Sequence, residues 1–269
     1  MKELEWFFPE DLAHVPDLLG LKGMVPHGGG TGILKSGTGR INGLIDLSRL
    51  PLGYFRALNS KIEIGASQTY SELIKNIRRI DPGHILVKAV GGSANTPLRN
   101  RITVGGSIAL FPPWSDLMGP LIALGADVSL IGKNKNNVNV AEYASNRDLV
   151  KGNLITGVSF ELKSRLSYYY RESRTSVDYP AFTVTILLNK PDDAIVDPRV
   201  VISGCTGRFK RLDELEEYLK GKSAREIDVT GAVSFLNVDF PSKKNMTPEY
   251  LKHLAGVQVE RGLESLLKG

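Results

Sequence analysis

Apolar positions along the chain follow helical spacing in some stretches and strand alternation in others. Between residues 70 and 80, Leu73, Ile74 and Ile77 share one helical face, with Ser67 or Thr69 placed to cap it. Near the C-terminus, Leu251, Leu254, Ala255, Val259, Leu263 and Leu266 form a longer stripe. Thr247 caps that helix and Pro248 takes its first position, which leaves the stripe as a packing or docking surface. Shorter helices are predicted over 10–20, where Gly20 and Gly23 close the run, and over 84–90, 117–124, 213–220 and 224–236. Ile33 begins a single helical turn at most. Strands are predicted over 5–8, 24–26, 43–50, 61–67, 127–131, 154–162, 168–171, 182–186 and 199–203. A polar turn is expected at 133–137, and a boundary near Lys163.

Two glycine-rich stretches interrupt this pattern. Gly28, Gly29, Gly30 and Gly32 crowd the first, just after the 24–26 strand. Gly105, Gly106 and Ser107 form the second, beside the apolar Ile102 and Val104. Removing side chains lets backbone N–H groups approach a bulky anion, for which a phosphate is the obvious candidate. Their wide separation suggests one ligand gripped from two sides. Neither stretch is a common nucleotide fingerprint. Leu34 stands where a Walker loop needs its second glycine, and no dinucleotide GxGxxG motif opens a long helix. Asp116 either caps the 117–124 helix, with Pro120 in its first turn, or faces a ligand, or does both.

Composition narrows the class. The 269 residues are 42% hydrophobic, enough for a substantial core and two or three subdomains. The net charge of +5 is spread among acids, as at 208–225, so a solvated surface is a better reading than a nucleic-acid groove. One cysteine, Cys205, excludes an internal disulfide and a Cys-ligated iron–sulfur cluster within the chain. His14, His27, His84 and His253 lack metal-ligand spacing. The first twelve residues are too acidic for a secretory leader, and a cytoplasmic protein is expected. Lys35 either neutralises a phosphate or is solvated, the solvated reading being preferred, and Arg99 and Arg101 read as surface or subunit-contact charges.

The motifs carry a resemblance. Gly28-Gly29-Gly30-Thr31-Gly32-Ile33-Leu34, Ile64 to Ser67, Leu98 to Ser107, Pro113 to Leu117, Gly125 to Val128 and Arg174 to Tyr179 together resemble the FAD-binding medium subunit of the molybdenum hydroxylases. That family includes xanthine, carbon monoxide and aldehyde dehydrogenases, and the likeness covers nearly the whole chain. The second stretch is its most specific part. The resemblance implies an α+β fold of the vanillyl-alcohol-oxidase (PCMH) type, with two α+β FAD-binding subdomains (1–55 and 56–163). A C-terminal domain of antiparallel sheet and helices (164–269) follows. It implies that both glycine stretches cradle the FAD diphosphate through Gly29, Gly30, Thr31, Gly32 and Ile33 and through Thr103, Gly105, Gly106 and Ser107. Ser115 and Asp116 would lie near the ribityl or ribose hydroxyls. Tyr179 would pack by the isoalloxazine ring, although a plain core tyrosine fits the residues equally.

The implied role is electron relay rather than substrate oxidation. [2Fe–2S] clusters on a small subunit and molybdopterin on a large subunit would lie on partner chains. An external acceptor would receive the electrons, and an aldehyde is the expected substrate of the complex. Two positions depart from the family pattern. Ser107 replaces the usual asparagine, and His27 replaces a small residue where it could crowd or contact the flavin. They leave open a scaffold subunit that has lost flavin. The related flavin reductases of cell-wall synthesis need catalytic acid and serine residues that form no visible constellation here.

Overall fold

A computed structural model describes residues 4–133, 137–176, 178–243 and 245–268. Contacts divide the chain into two units. One comprises Met1–Asn76, Asn95–Phe111 and Gly125–Leu162; the other comprises Ile77–Ala94, Pro112–Leu124 and Lys163–Gly269. Residues 77–94 and 112–124, expected within the second FAD-binding subdomain, therefore cluster with the C-terminal part.

The first unit holds two sheets. Strands β1 (Glu5–Phe7), β2 (Met24–His27) and β3 (Gly43–Asp46) form a parallel sheet with β3 central. Strand β3 ends early because the Asp46 side chain accepts the Ser48 N–H at 2.8 Å and turns the chain. The expected strand over 43–50 is thus half its predicted length. Strands β4 (Phe55–Leu58), β5 (Lys61–Gly65), β6 (Asp127–Gly132), β7 (Asn137–Asn139) and β8 (Asn153–Glu161) form an antiparallel sheet in the order β4-β5-β8-β6-β7. Ile62 and Ile64 are buried while Lys61 is exposed, as the alternation required. The turn expected at 133–137 falls mostly outside the described residues.

The helix expected over 10–20 is split. Asp11 caps a short 3-10 turn, Leu12–His14, and the α-helix Val15–Gly20 begins afresh with Pro16 in its first two positions. Proline lacks the N–H that a continuous helix would use, so it fits a start better than an interior.

The second unit is built on β9 (Leu166–Glu172), β10 (Phe182–Asn189), β11 (Val196–Ser203) and β12 (Phe209–Arg211), antiparallel in the order β12-β11-β10-β9. Val184, Ile186, Val200 and Ile202 pack with Leu251, Ala255, Val259 and Leu263 of the helix Pro248–Leu267 in one core cluster. Gly262 permits that approach, since a Cβ there would lie 2.6 Å from Tyr168 and 2.7 Å from Ile186. On the other face, the helix Met118–Ala123 brings Gly119 against the hydroxyls of Thr185 and Ser203. The helix expected over 224–236 is instead three short pieces: Ala224–Glu226, Val229–Ala232 and Val233–Phe235. Ser223 and Asp228 each cap a new start, so local side-chain bonds outcompete a continuous helix.

Candidate functional site

The first glycine stretch joins β2 to the helix Thr31–Ser36. Gly30 stands before that helix at φ 74°, and no side chain caps it. The first helical bond runs from Leu34 N–H to the Gly30 carbonyl at 3.1 Å. The N–H groups of Thr31, Gly32 and Ile33 therefore have no intrahelical acceptor. A Cβ on Gly30 would lie 2.7 Å from His27 Nε2. His27 is itself held between the Trp6 ring, centroids 5.0 Å apart, and Asp46, whose Oδ2 is 3.4 Å from Nδ1. Burial tends to raise the Asp46 carboxyl, but hydrogen bonds to Ser48 and the His27 charge outweigh it and hold it below its ordinary range.

The second stretch opens the helix Val104–Leu110, and its amides are already engaged. Val104 N–H donates to the Gln68 carbonyl at 2.9 Å, Gly105 N–H to Ala66 at 2.8 Å, and Ser107 N–H to Thr103 at 3.0 Å. Gly106 N–H donates to Thr103 Oγ1 at 3.2 Å. The row of open amides implied for Gly105, Gly106 and Ser107 is absent because helix formation and the backbone following β5 consume them. What remains is the Thr103 hydroxyl, which accepts from Gly106 and keeps a proton to donate. Ser107 is absorbed inside the helix, its hydroxyl donating to the Thr103 carbonyl at 2.8 Å.

The first stretch and the residues that lead into the second line one cavity of about 350 Å³ within the first unit. Gly28 and Gly29 meet Thr103 there, together with Ser48, Ser67, Thr69, Asn100 and Arg101. Ser67 Oγ is buried without a hydrogen-bond partner. The expected choice of cap for the helix Tyr70–Ile80 falls to Thr69, which exchanges hydrogen bonds with Glu72 and leaves Ser67 to the cavity. Ser67 was singled out by the sequence only as a possible cap and as part of the 64–67 motif, and Ser48 and Asn100 were not singled out. The only signal for those two is adjacency to residues that were.

Asp116 departs from expectation. It does not cap: the helix starts at Met118, whose N–H donates to Ser115 Oγ at 3.3 Å. Asp116 is 3% exposed in the second unit and accepts the Tyr169 hydroxyl at 2.6 Å and Arg171 Nε at 3.1 Å. Burial first, then the Asp116 charge, pushes the Tyr169 hydroxyl well above its usual range. Arg171 continues to the carbonyls of Ser176 and Asp178, at 3.0 and 2.8 Å. Tyr179, next along, is no core residue. It is 58% exposed and tilts against Trp114 with ring centroids 5.0 Å apart.

Cys205 is buried, and that burial pushes its thiol up to about 11. No group of three or more potential metal ligands occurs among the described residues, and no described helix is long and apolar enough to cross a membrane. In the cavity, an orphaned buried hydroxyl and a donating threonine beside an arginine suit an anion such as a diphosphate, and the uncommitted amides of Thr31, Gly32 and Ile33 follow Gly29 in the chain.

Residues 2–160 match the family model described as the FAD binding domain in molybdopterin dehydrogenase. The chain belongs to that family. It is 26% identical over 187 residues to the nicotine 6-hydroxylase medium subunit of Paenarthrobacter nicotinovorans, an alignment covering 66% of this chain and 65% of that one. It is 24% identical over 192 residues to the glyceraldehyde dehydrogenase medium chain of Sulfolobus acidocaldarius, covering 68% and 67%. The matched part thus spans about two thirds of each relative (65% and 67%). The fold is that of a chain of the carbon monoxide dehydrogenase from Hydrogenophaga pseudoflava, with a TM-score of 0.90, 22% identity and coverage of 98% and 97%.

Proposed function

We propose that the chain is the FAD-carrying medium subunit of a heteromeric molybdenum hydroxylase. The observation that carries this reading is the cavity where Gly28 and Gly29 of the first glycine stretch meet Thr103, the cap of the helix that the second stretch opens, with the open first-turn amides of Thr31–Ser36 following two residues further along the chain. The Thr31, Gly32 and Ile33 amides would hold the diphosphate, and Thr103 would donate to it. Tyr179 would pack by the isoalloxazine ring, and Asp116 would act through Arg171 to order the backbone leading there. Bound FAD supplies reversible electron storage. Electrons would arrive from [2Fe–2S] clusters of a small partner subunit and leave to an external acceptor. A large partner subunit would hold the molybdenum cofactor and oxidise the substrate, an aldehyde by analogy with the glyceraldehyde dehydrogenase relative.

The flavin-free scaffold reading rests on the Ser107 and His27 departures, the Ser107 hydroxyl being spent within its own helix. Titration of the purified chain with FAD tests the proposal. Saturable binding with quenched flavin fluorescence is expected. A Gly106→Val variant, which forces a Cβ against Thr103 Oγ1, should lose flavin yet still assemble with its partner subunits. A folded wild-type chain that binds no FAD in any redox state would overturn the proposal.

A further inference from the structure

Arg101 holds Gly29 from two directions. Its carbonyl oxygen occupies the space a Gly29 Cβ would need, and its guanidinium returns to the Gly29 carbonyl with Nε at 3.3 Å and an Nη at 3.1 Å. These contacts tie together two stretches 72 residues apart. The same side chain is exposed and lines the 350 Å³ cavity beside Thr103 and the partnerless Ser67 hydroxyl. Two of its five donors are committed to a backbone carbonyl, which fixes the plane of the fork. The rest of the fork remains for an anion. Arg99, two residues earlier, is differently placed: its guanidinium turns to Thr96 Oγ1 at 2.9 Å, and it does not line the cavity.

We propose that Arg101 is both the clasp that spaces the two glycine stretches and the cation that neutralises the bound diphosphate, with Ser67 donating to the same group. The inference rests on the FAD-binding reading and adds to it a charge that the backbone amides cannot supply. Arginine suits both tasks because its planar fork can satisfy a carbonyl and a phosphate oxygen together. Lysine offers a single point charge and would serve only one of them well.

The test uses the full chain, with FAD and ADP as probes, by calorimetry over a range of salt concentrations. Arg101→Gln should weaken both ligands about 10-fold to 100-fold, the range of a lost charge-assisted hydrogen bond, and should flatten the salt dependence. Arg101→Lys should keep the salt dependence while losing part of the affinity. Ser67→Ala should weaken both ligands several-fold. Wild-type affinity and salt dependence in a folded Arg101→Gln chain would overturn the assignment. If that variant does not fold, unchanged ADP affinity in both Arg101→Lys and Ser67→Ala overturns it instead. A wild-type chain that binds neither probe would defeat the underlying FAD reading, an outcome distinct from an Arg101 variant that binds normally.

Discussion

Arg171 reaches Asp116, Ser176 and Asp178 from a single strand position, and Tyr169 two residues earlier shares the same carboxylate. A buried carboxylate is tolerable only while paired. Arg171→Met should therefore destabilise the second unit by about 3–5 kcal/mol, since it leaves Asp116 charged and without a cation. Tyr169→Phe removes one hydrogen bond to a charged group and should cost less, about 1.5–3 kcal/mol. Urea denaturation followed by tryptophan fluorescence would rank the two variants; equal losses would contradict the pairing. Nothing local announces this arrangement. Asp116 beside a helix start reads as a cap, and its partners lie 53 and 55 residues away.

At the scale of elements, helices with both a cap and a stripe were legible. Tyr70–Ile80 and Pro248–Leu267 lie where spacing placed them, because Thr69 and Thr247 accept their first-turn amides and each apolar face is buried, Leu73 and Ile77 in the first helix and Leu251, Val259 and Leu263 against the antiparallel sheet in the second. Thr247→Ala should cost about 1 kcal/mol, read as a lower urea midpoint with an unchanged slope. The 224–236 run failed as one helix because Asp228, inside it, caps a new start. The helix Ile85–Gly91 adds a pH dependence. His84 Nδ1 accepts the Leu86 N–H at 3.2 Å, so the neutral ring is the cap. Burial lowers the His84 pKa, partly opposed by the Asp81 charge. Unfolded chain takes up the proton at higher pH than folded chain does, so this contribution is intact above an ordinary histidine pKa of about 6.5. It is lost as pH falls from there toward the lower folded value. His84→Asn keeps a capping oxygen and removes the titration. Denaturation midpoints on either side of that window should converge for the variant, relative to wild type.

For the whole molecule, each unit buries its own core, and the cavity proposed for the diphosphate is lined entirely by the first. A ligand that binds only folded chain stabilises it by about 2.7 kcal/mol at 100 times its dissociation constant. FAD should accordingly slow hydrogen exchange most at residues 28–33 and 101–107, and should raise the unfolding midpoint in proportion to the logarithm of its concentration. Uniform protection, or none at those residues, would argue against the site. The stretches of helical and strand spacing and the two glycine-rich stretches were determined by the sequence alone, and the α+β architecture with its antiparallel C-terminal sheet was implied by the family resemblance those stretches carry. Periodicity and missing side chains are local properties, readable wherever they occur. Which amides stay open was decided only by the tertiary structure. The backbone after β5 takes those of Val104 and Gly105, whereas the helix at Thr31 has no such neighbour. The same holds for Arg101, whose value depends on a carbonyl 72 residues away. Hydrogen-bond satisfaction and charge pairing are settled by whatever the fold brings within about 3 Å, and that distance cannot be read along a chain.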